Sequence, residues 1–184
     1  MANKPTFIAL LRGINVGTAR RVPMAELRAV LAGLGYTGVA TLLNSGNAVF
    51  RAAQATPAGL AAAIEKAVAG RLGVDVPVIV KSAKELSVIA AGNTLAATAL
   101  DPSRLFVVFV QDRKALPELA RIAQKVRAPE QFVIGANAAY LDCPDGILES
   151  QAGRALLGAA GPLVTTRNWA TVLRLQTLAH ASAA

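Results

Sequence analysis

Apolar residues along this chain form short runs and helix-spaced patterns, and both occur in the same order in its two halves. Thr6–Leu11 is a short apolar run with β-formers, which predicts a buried strand. After a polar loop, Met24, Leu27 and Leu31 recur at helical spacing behind Pro23, which suits the first helical position. The predicted elements of the first half are Thr6–Leu11, a helix from Pro23 to Gly35, the hairpin strands Val39–Leu43 and Ala48–Phe50, a helix opened by Thr56 and Pro57, Val76–Val80, and a helix capped by Ser82 that runs to about Ala91.

The second half repeats this order of elements. Its predicted elements are Leu105–Val110, the helix Leu116–Val126, the hairpin strands Gln131–Ile134 and Ala139–Asp142, the helix Leu148–Leu157, the brief strand Pro162–Val164, and a last helix capped by Thr165 or Thr166. Each half follows the order β-α-β-β-α-β-α, and its first six elements match the ferredoxin-like split βαβ pattern. We therefore expect an α+β fold of two tandem ferredoxin-like halves, residues 1–92 and 93–184, packed as one compact unit. The boundary lies in Gly92–Pro102, which is not a Gly/Ser linker.

Composition supports a globular protein and narrows its class. Hydrophobic residues make up 54% of the 184 residues, so disorder is not expected, whereas aromatic residues make up only 4%. Few aromatic faces disfavour a binder of single-stranded nucleic acid. No window approaches the roughly 20 charge-free apolar residues of a spanning helix. The apolar run after Lys4 breaks at Arg12 without a cleavage-type site, so we expect no signal peptide and a cytoplasmic protein.

The reactive side chains are few. One cysteine, Cys143, excludes an internal disulfide and a cysteine-rich metal site, and we interpret it as an unreactive thiol. The single histidine, His180, lies in the C-terminal tail, so a Ser–His–Asp triad and a histidine-rich metal site are not expected. The nearest acidic candidate to the first polar loop is Glu26, for which a solvated position on a helix is the simpler explanation. No metal, cofactor or catalytic residue is therefore assigned.

The formal charge is +8, and it is uneven. Residues 1–92 carry ten Lys and Arg against four Asp and Glu, whereas residues 93–184 carry nine against seven. The positive residues are spread over predicted helix faces, apart from the pair Arg20 and Arg21. This excess is explained either by a generally basic surface or by attraction of an anionic partner, a nucleic acid or a phosphorylated metabolite.

The loop after the first strand has the ingredients of an anion site. It spans about eleven residues, where two to six are usual between a strand and a helix. Gly13 and Gly17 permit tight backbone geometry, and Arg12, Arg20 and Arg21 bring positive charge near a helix N-terminus. It matches neither the Walker A nor the dinucleotide-binding pattern, and the two glycines are also explained by turn geometry alone.

Two further polar segments stand out. Asn44-Ser45-Gly46-Asn47 lies between predicted strands, and hairpin geometry by itself explains this composition. Thr165–Trp169 lies where a strand passes into the last helix. A cation such as Arg167 in the first helical turn opposes the helix dipole, so this residue either pairs with a carboxylate or faces an anion from outside.

These three segments together resemble the bacterial Domain of Unknown Function 1697 family. The resemblance rests on Leu11-Arg-Gly-Ile-Asn-Val-Gly17, Met24-Ala-Glu-Leu27, Asn44-Ser-Gly-Asn47 before Val49-Phe50, and Thr166-Arg-Asn-Trp169 with Thr171. It spans nearly the whole chain and implies an α+β fold with a duplicated ferredoxin-like arrangement, but no activity, substrate or cofactor. Two positions depart from the family pattern: Thr18 stands where a second glycine is common, and Ala170 where an asparagine is common.

Three functions remain open from the sequence. The first is a domain that binds, with or without catalysis, a small anionic ligand such as a nucleotide or sugar phosphate. Its expected ligand-binding residues are Arg12, Gly13, Asn15, Gly17, Ser45, Asn47, Arg167 and Asn168. The alternatives are a nucleic-acid-binding protein, favoured by the basic first half and disfavoured by the lack of an RNP-like aromatic arrangement, and a structural or interaction protein that forms a homodimer through strand edges.

Overall fold

In the part of the chain that the structure describes, eight β-strands form two four-stranded antiparallel sheets. The structure is a computed structural model that describes residues 4–16, 20–53, 55–158 and 164–182. The strands are β1 (Thr6–Leu11), β2 (Thr37–Leu42), β3 (Asn47–Arg51), β4 (Val78–Ser82), β5 (Leu105–Val110), β6 (Gln131–Ile134), β7 (Ala139–Asp142) and β8 (Val164–Asn168). The first sheet has the order β2-β3-β1-β4 and the second β6-β7-β5-β8, so the first strand of each set lies inside its sheet.

Six α-helices accompany the sheets in the described residues. They are α1 (Met24–Gly33), α2 (Pro57–Leu72), α3 (Ala83–Ala91), α4 (Ala120–Ala123), α5 (Gln151–Leu157) and α6 (Trp169–Ala181). Two 3₁₀-helices, Thr94–Ala97 and Arg113–Leu119, occur in the connections. The predicted α+β class is confirmed.

The chain divides into two compact units. The first comprises Met1–Leu86 together with Leu175–Ala184, and the second comprises Ser87–Arg174. The division into sequence halves at residue 92 stays a prediction.

The first unit is built on β1, whose side chains are all buried. Helices α1 and α2 pack beside each other, α1 against β2 and α2 against β4. Leu27 and Leu31 of α1 and Ile64 and Val68 of α2 lie in the same apolar cluster as Phe50 of β3. This cluster is the core that removes the apolar faces of both helices from water, which is the main stabilising term for such a layer.

Local sequence sets the helix boundaries of the first unit, largely as expected. Thr56 precedes α2 and its hydroxyl accepts a hydrogen bond from the backbone N–H of Gly59, with Pro57 as the first helical residue. Ser82 and Glu85 form a capping box at α3, because each side chain accepts a hydrogen bond from the other residue's backbone N–H. One position differs: α1 begins at Met24, and Pro23 is the residue before it.

The predicted helix Leu116–Val126 of the second unit was wrong in type. The chain there forms the 3₁₀-helix Arg113–Leu119 and then α4, which is a single turn. Pro117 lies inside the 3₁₀-helix, and its lack of a backbone N–H and its ring disfavour a continuous α-helix at this point. Helix α5 begins at Gln151 rather than at Leu148, because Ser150 caps it through the Gly153 N–H.

The last strand and helix also differ from expectation. Thr165 and Thr166 belong to β8, which pairs with β5, and they do not cap the last helix. The side-chain oxygen of Asn168 instead accepts a hydrogen bond from the Thr171 N–H, 2.9 Å away, at the start of α6. The expected strand Pro162–Val164 lies outside the described residues except for Val164, the first residue of β8.

Candidate functional site

The first two polar segments meet in the first unit, at the end of β1. The backbone N–H of Leu11 donates to the carbonyl oxygen of Gly46 at 2.8 Å. The side-chain amide of Asn15 donates to the carbonyl oxygen of Asn44 at 2.7 Å. The loop after β1 and the turn before β3 are therefore joined by direct hydrogen bonds, as a shared site for their residues requires.

The Asn15 side chain is occupied by the protein backbone. Its Nδ2 donates to the carbonyl oxygen of Val22 and its Oδ1 accepts from the Val22 N–H, both at 2.9 Å, in addition to the bond to Asn44. Its own backbone N–H donates to the Arg20 carbonyl at 3.2 Å. Asn15 has a φ of 56°, in the left-handed region that asparagine tolerates better than most residues. Its primary role in this geometry is to hold the loop.

Asn47 and Ser45 hold the neighbouring turn. Asn47 is fully buried in β3, and its Nδ2 donates to the Leu42 carbonyl at 3.0 Å and to Ser45 Oγ at 2.9 Å. Ser45 is exposed. The turn between them requires Gly46, whose φ is +77°. A side-chain oxygen at Ser45 is thus at the surface, whereas the Asn47 amide serves the hairpin.

The positive charge of the loop is concentrated around Gly13. Arg20 Nη1 would lie 3.6 Å from a β-carbon placed on Gly13, whose φ is +64°. Partial burial lowers the pKa of Arg12 from its ordinary value, and the charge of Arg20 lowers that pKa further. Two guanidinium groups therefore repel each other beside an exposed glycine. Gly17, also an expected site residue, lies outside the described part of the chain.

Backbone donors accompany these cations. Within the described residues, the N–H groups of Gly13 and Ile14 donate no hydrogen bond. Arg12 itself is anchored, since its backbone N–H donates to the Pro77 carbonyl at 2.9 Å, just before β4. Arg20 was recognisable from the sequence as a source of positive charge but was not among the expected site residues. The signal was the Arg20-Arg21 pair, one of two pairs of adjacent basic residues in the chain, the other being Arg113-Lys114.

Arg167 and Asn168 belong to the second unit. Arg167 lies in β8 and not in a first helical turn, which corrects the expected position, and it is only 9% exposed. Its Nη1 donates to Thr165 Oγ1 at 2.8 Å and to the Thr166 carbonyl at 2.7 Å. Burial lowers the pKa of Arg167 to about 10. Asn168 caps α6, so both side chains have structural roles within their own unit.

The acidic candidate near the first loop is engaged by an arginine. Glu26 Oε2 lies 3.1 Å from Arg71 Nε of α2, and both side chains are about half exposed. Such surface pairs contribute little to stability. The pairing is nevertheless the solvated helix position that the sequence favoured, rather than the arrangement of a general base.

The cysteine gives a prediction about pH. Burial raises the pKa of the Cys143 thiol to about 12, with smaller contributions from the charges of Glu130 and Asp142, and burial raises that of Tyr140 to about 12. The folded state therefore holds both protons at a pH where the unfolded chain releases them. The contribution of these two groups to the free energy of unfolding is fully present below the ordinary thiol pKa of about 8.5. It is lost as the pH rises toward 12.

Urea unfolding at pH 7.5, 9 and 10.5 checks this prediction. The midpoint should decrease between pH 9 and pH 10.5. In Cys143→Ala it should decrease less steeply, because the contribution of the buried thiol is then absent. A midpoint that does not change up to pH 10.5 would contradict it.

The class of protein follows from the fold: an α+β protein with two four-stranded antiparallel sheets. The profile described as "Protein of unknown function (DUF1697)" matches residues 5–140. The chain belongs to this family, which confirms the resemblance; the first two polar segments lie within the matched residues, and the third, Thr165–Trp169, lies after them.

A solved structure shares the fold. The conserved bacterial protein SP0830 from Streptococcus pneumoniae is 22% identical to this chain, with a TM-score of 0.77, over 95% of this chain and 98% of that one. No curated protein matches the sequence significantly. This likeness establishes the fold and nothing about activity.

Two general properties bear on the site. None of the helices in residues 4–16, 20–53, 55–158 and 164–182 has the length and apolar character needed to cross a membrane. In the same residues, no three His, Cys, Asp or Glu side chains form a group that could hold a metal ion.

Proposed function

We propose that the loop after β1 binds a small ligand through its phosphate group, a nucleotide or sugar phosphate of the cytoplasm. The observation that carries this proposal is the position of Arg20, whose guanidinium lies beside Gly13 and whose charge acts on the neighbouring Arg12. The repulsion between these two positive charges costs free energy in the unbound protein. An anion between them converts that repulsion into two attractions, and charge-assisted hydrogen bonds of arginine to phosphate are strong.

Backbone geometry supports the same ligand. The N–H groups of Gly13 and Ile14 are donors without a partner among the described residues, and Gly13 has no side chain to exclude a ligand. Ser45 lies at the surface of the adjoining turn and supplies a hydroxyl. Asn15 and Asn47 act in this proposal by fixing the two segments rather than by touching the ligand. Main-chain donors with arginine side chains are a common form of phosphate site.

The small ligand is favoured over a nucleic acid by the position of the aromatic residues. Phe7 of β1 and Phe50 of β3 are the aromatic residues on the central strands of the first sheet, and both are buried in the core. Tyr36 stacks on Phe50 with ring centroids 4.7 Å apart. These rings are committed to packing, whereas sheet-based RNA binding stacks bases on exposed aromatic residues.

Isothermal titration calorimetry in a low-salt buffer without phosphate tests the proposal. We expect ATP and pyrophosphate to bind and adenosine, which has the base but no phosphate, not to bind. Arg12→Gln and Arg20→Gln should each weaken binding by about tenfold, the effect of one lost charge-assisted contact.

Lys66→Gln is the matched control. Lys66 is exposed on α2 of the same unit, and its substitution also removes one positive charge. It should change affinity by less than about twofold, as expected for general electrostatics alone. Absence of heat from both phosphates at about 10 mM, or an equal loss in Lys66→Gln, would refute the site.

We also infer that each unit is a ferredoxin-like arrangement and that the two arose by duplication. Support comes from the strand orders, β2-β3-β1-β4 and β6-β7-β5-β8, which are the same when each set is counted along the chain. All neighbouring strands within each sheet are antiparallel, as the split βαβ pattern requires. Superposition of the two sheets with strands matched in chain order tests this inference, since equivalent strands that fail to overlay would contradict it.

A further inference from the structure

The second unit contains a pocket whose lining residues are all separate from the loop after β1, residues 12–21, which is called the basic loop below. It has a volume of about 380 Å³ and lies between the segment before β5, the segment before β6 and the end of β7. Asp101 and Arg104 line it from the first segment, Pro129 from the second, and Asp142 from β7. The volume is within the range of sites for small molecules.

The pocket has two carboxylates, Asp101 and Asp142, and one guanidinium, Arg104, and the two carboxylates differ in their partners. Asp101 Oδ1 accepts the Ser103 N–H at 2.8 Å, and its Oδ2 lies 3.9 Å from Arg104 Nε. The Asp142 carboxylate, by contrast, takes part in no hydrogen bond or ion pair within the described residues. Burial raises the pKa of Asp142, and the charge of Asp101 raises it further. A cation placed beside Asp142 would offset both effects.

The other lining residues are the polar Thr98 and Gln131 and three apolar residues. Leu100 is fully exposed at the rim, and Pro129 and Pro144 are the other apolar lining residues. An exposed leucine beside a cavity offers apolar surface to a ligand at no cost to the protein core. The site therefore combines a carboxylate in need of a counter-charge with a wall that favours carbon.

From this combination we propose that the pocket binds a small organic amine, with its ammonium group at Asp142 and its hydrocarbon part against Leu100. The chain carries a formal charge of +8, so general electrostatic attraction does not bring cations to it. Binding rests on the local contacts of Asp142 and Leu100. The proposal is independent of the phosphate site in the first unit.

Three probes that share a phenylethyl group separate the contributions: 2-phenylethylamine, 3-phenylpropionate and 2-phenylethanol. Titration of the ¹⁵N-labelled full chain is followed by amide chemical shifts. The amine should shift the amides of Gln131 and Asp142, which oppose each other in β6 and β7, and bind more tightly than the other two. Equal or tighter binding of the carboxylate would overturn the proposal.

Variants complete the experiment. Asp142→Asn should weaken amine binding about five- to tenfold, the loss of one partly buried ion pair, and leave the weak binding of the alcohol unchanged. Leu100→Ala, at a fully exposed position that the fold does not need, should weaken amine and alcohol alike. Glu118→Gln, an exposed charge of the same unit outside the pocket, serves as the control and should have no effect. Unchanged amine binding in both Asp142→Asn and Leu100→Ala would refute the site.

Discussion

Replacement of Gly46 by alanine is expected to lower the free energy of unfolding by about 2–4 kcal/mol. Gly46 has a φ of +77°, which strains a residue with a β-carbon. A β-carbon there would also lie 2.7 Å from Leu11 Cβ and 2.8 Å from Ile14 Cδ1. Both neighbours are buried, at the end of β1 and at the start of the basic loop, so neither can move without disturbing the core.

Urea unfolding monitored by circular dichroism measures this loss. Gly70→Ala is the matched control, because Gly70 lies within α2 and nothing is within 4 Å of the added carbon. The free energy of unfolding of that variant should be higher by up to about 1 kcal/mol, because alanine has a higher helix propensity than glycine. If Gly46→Ala unfolds within about 0.5 kcal/mol of the natural chain, the close approach of these segments is not as described.

Asn15→Gly is expected to lower the free energy of unfolding by about 1–3 kcal/mol. The substitution removes three side-chain hydrogen bonds and leaves the backbone of Val22, which is buried, without its partners. Glycine adopts the φ of 56° without strain, so the loss comes from the hydrogen bonds together with the greater conformational entropy of glycine in the unfolded chain. Asn15→Ala should cost about 1 kcal/mol more, because alanine is strained at a positive φ.

Asn44→Ala provides the comparison for Asn15. Asn44 takes part through its carbonyl oxygen, which alanine retains, and its side chain is exposed. It should therefore unfold within about 0.5 kcal/mol of the natural chain. Equal losses in Asn44→Ala and Asn15→Gly would show that the amide of Asn15 is not the element that joins the two segments.

Elements with local determinants were predictable from the sequence. Thr56 and Pro57 mark the start of α2 because a cap needs only residues within one helical turn. The buried strand β1 was equally clear from its uninterrupted apolar run. The start of α6 was missed because Thr165 and Thr166 resemble caps. Their true state depends on pairing with Phe109 and Val108, more than fifty residues earlier in the chain.

The candidate site was predictable in position but not in the roles of its side chains. Asn15 and Asn47 were expected to bind a ligand because amides in polar loops are versatile donors. Their partners, such as the Asn44 carbonyl 29 residues from Asn15, are determined only by the folded sheet. The pocket of the second unit gave no sequence signal at all, since Asp101 and Asp142 come from separate segments that share no motif.

The hydrogen bonds between Asn15 and Val22 have a consequence for the sequence of the loop after β1. The chain leaves Asn15 and returns at Val22, and hydrogen bonds between these two residues close the intervening segment at its base. Substitutions or changes of length between them need not be transmitted to β1 or α1. If the proposed phosphate site is correct, the described residues Val16, Arg20 and Arg21 are therefore positions where ligand preference can change while Asn15 and Val22 stay constant.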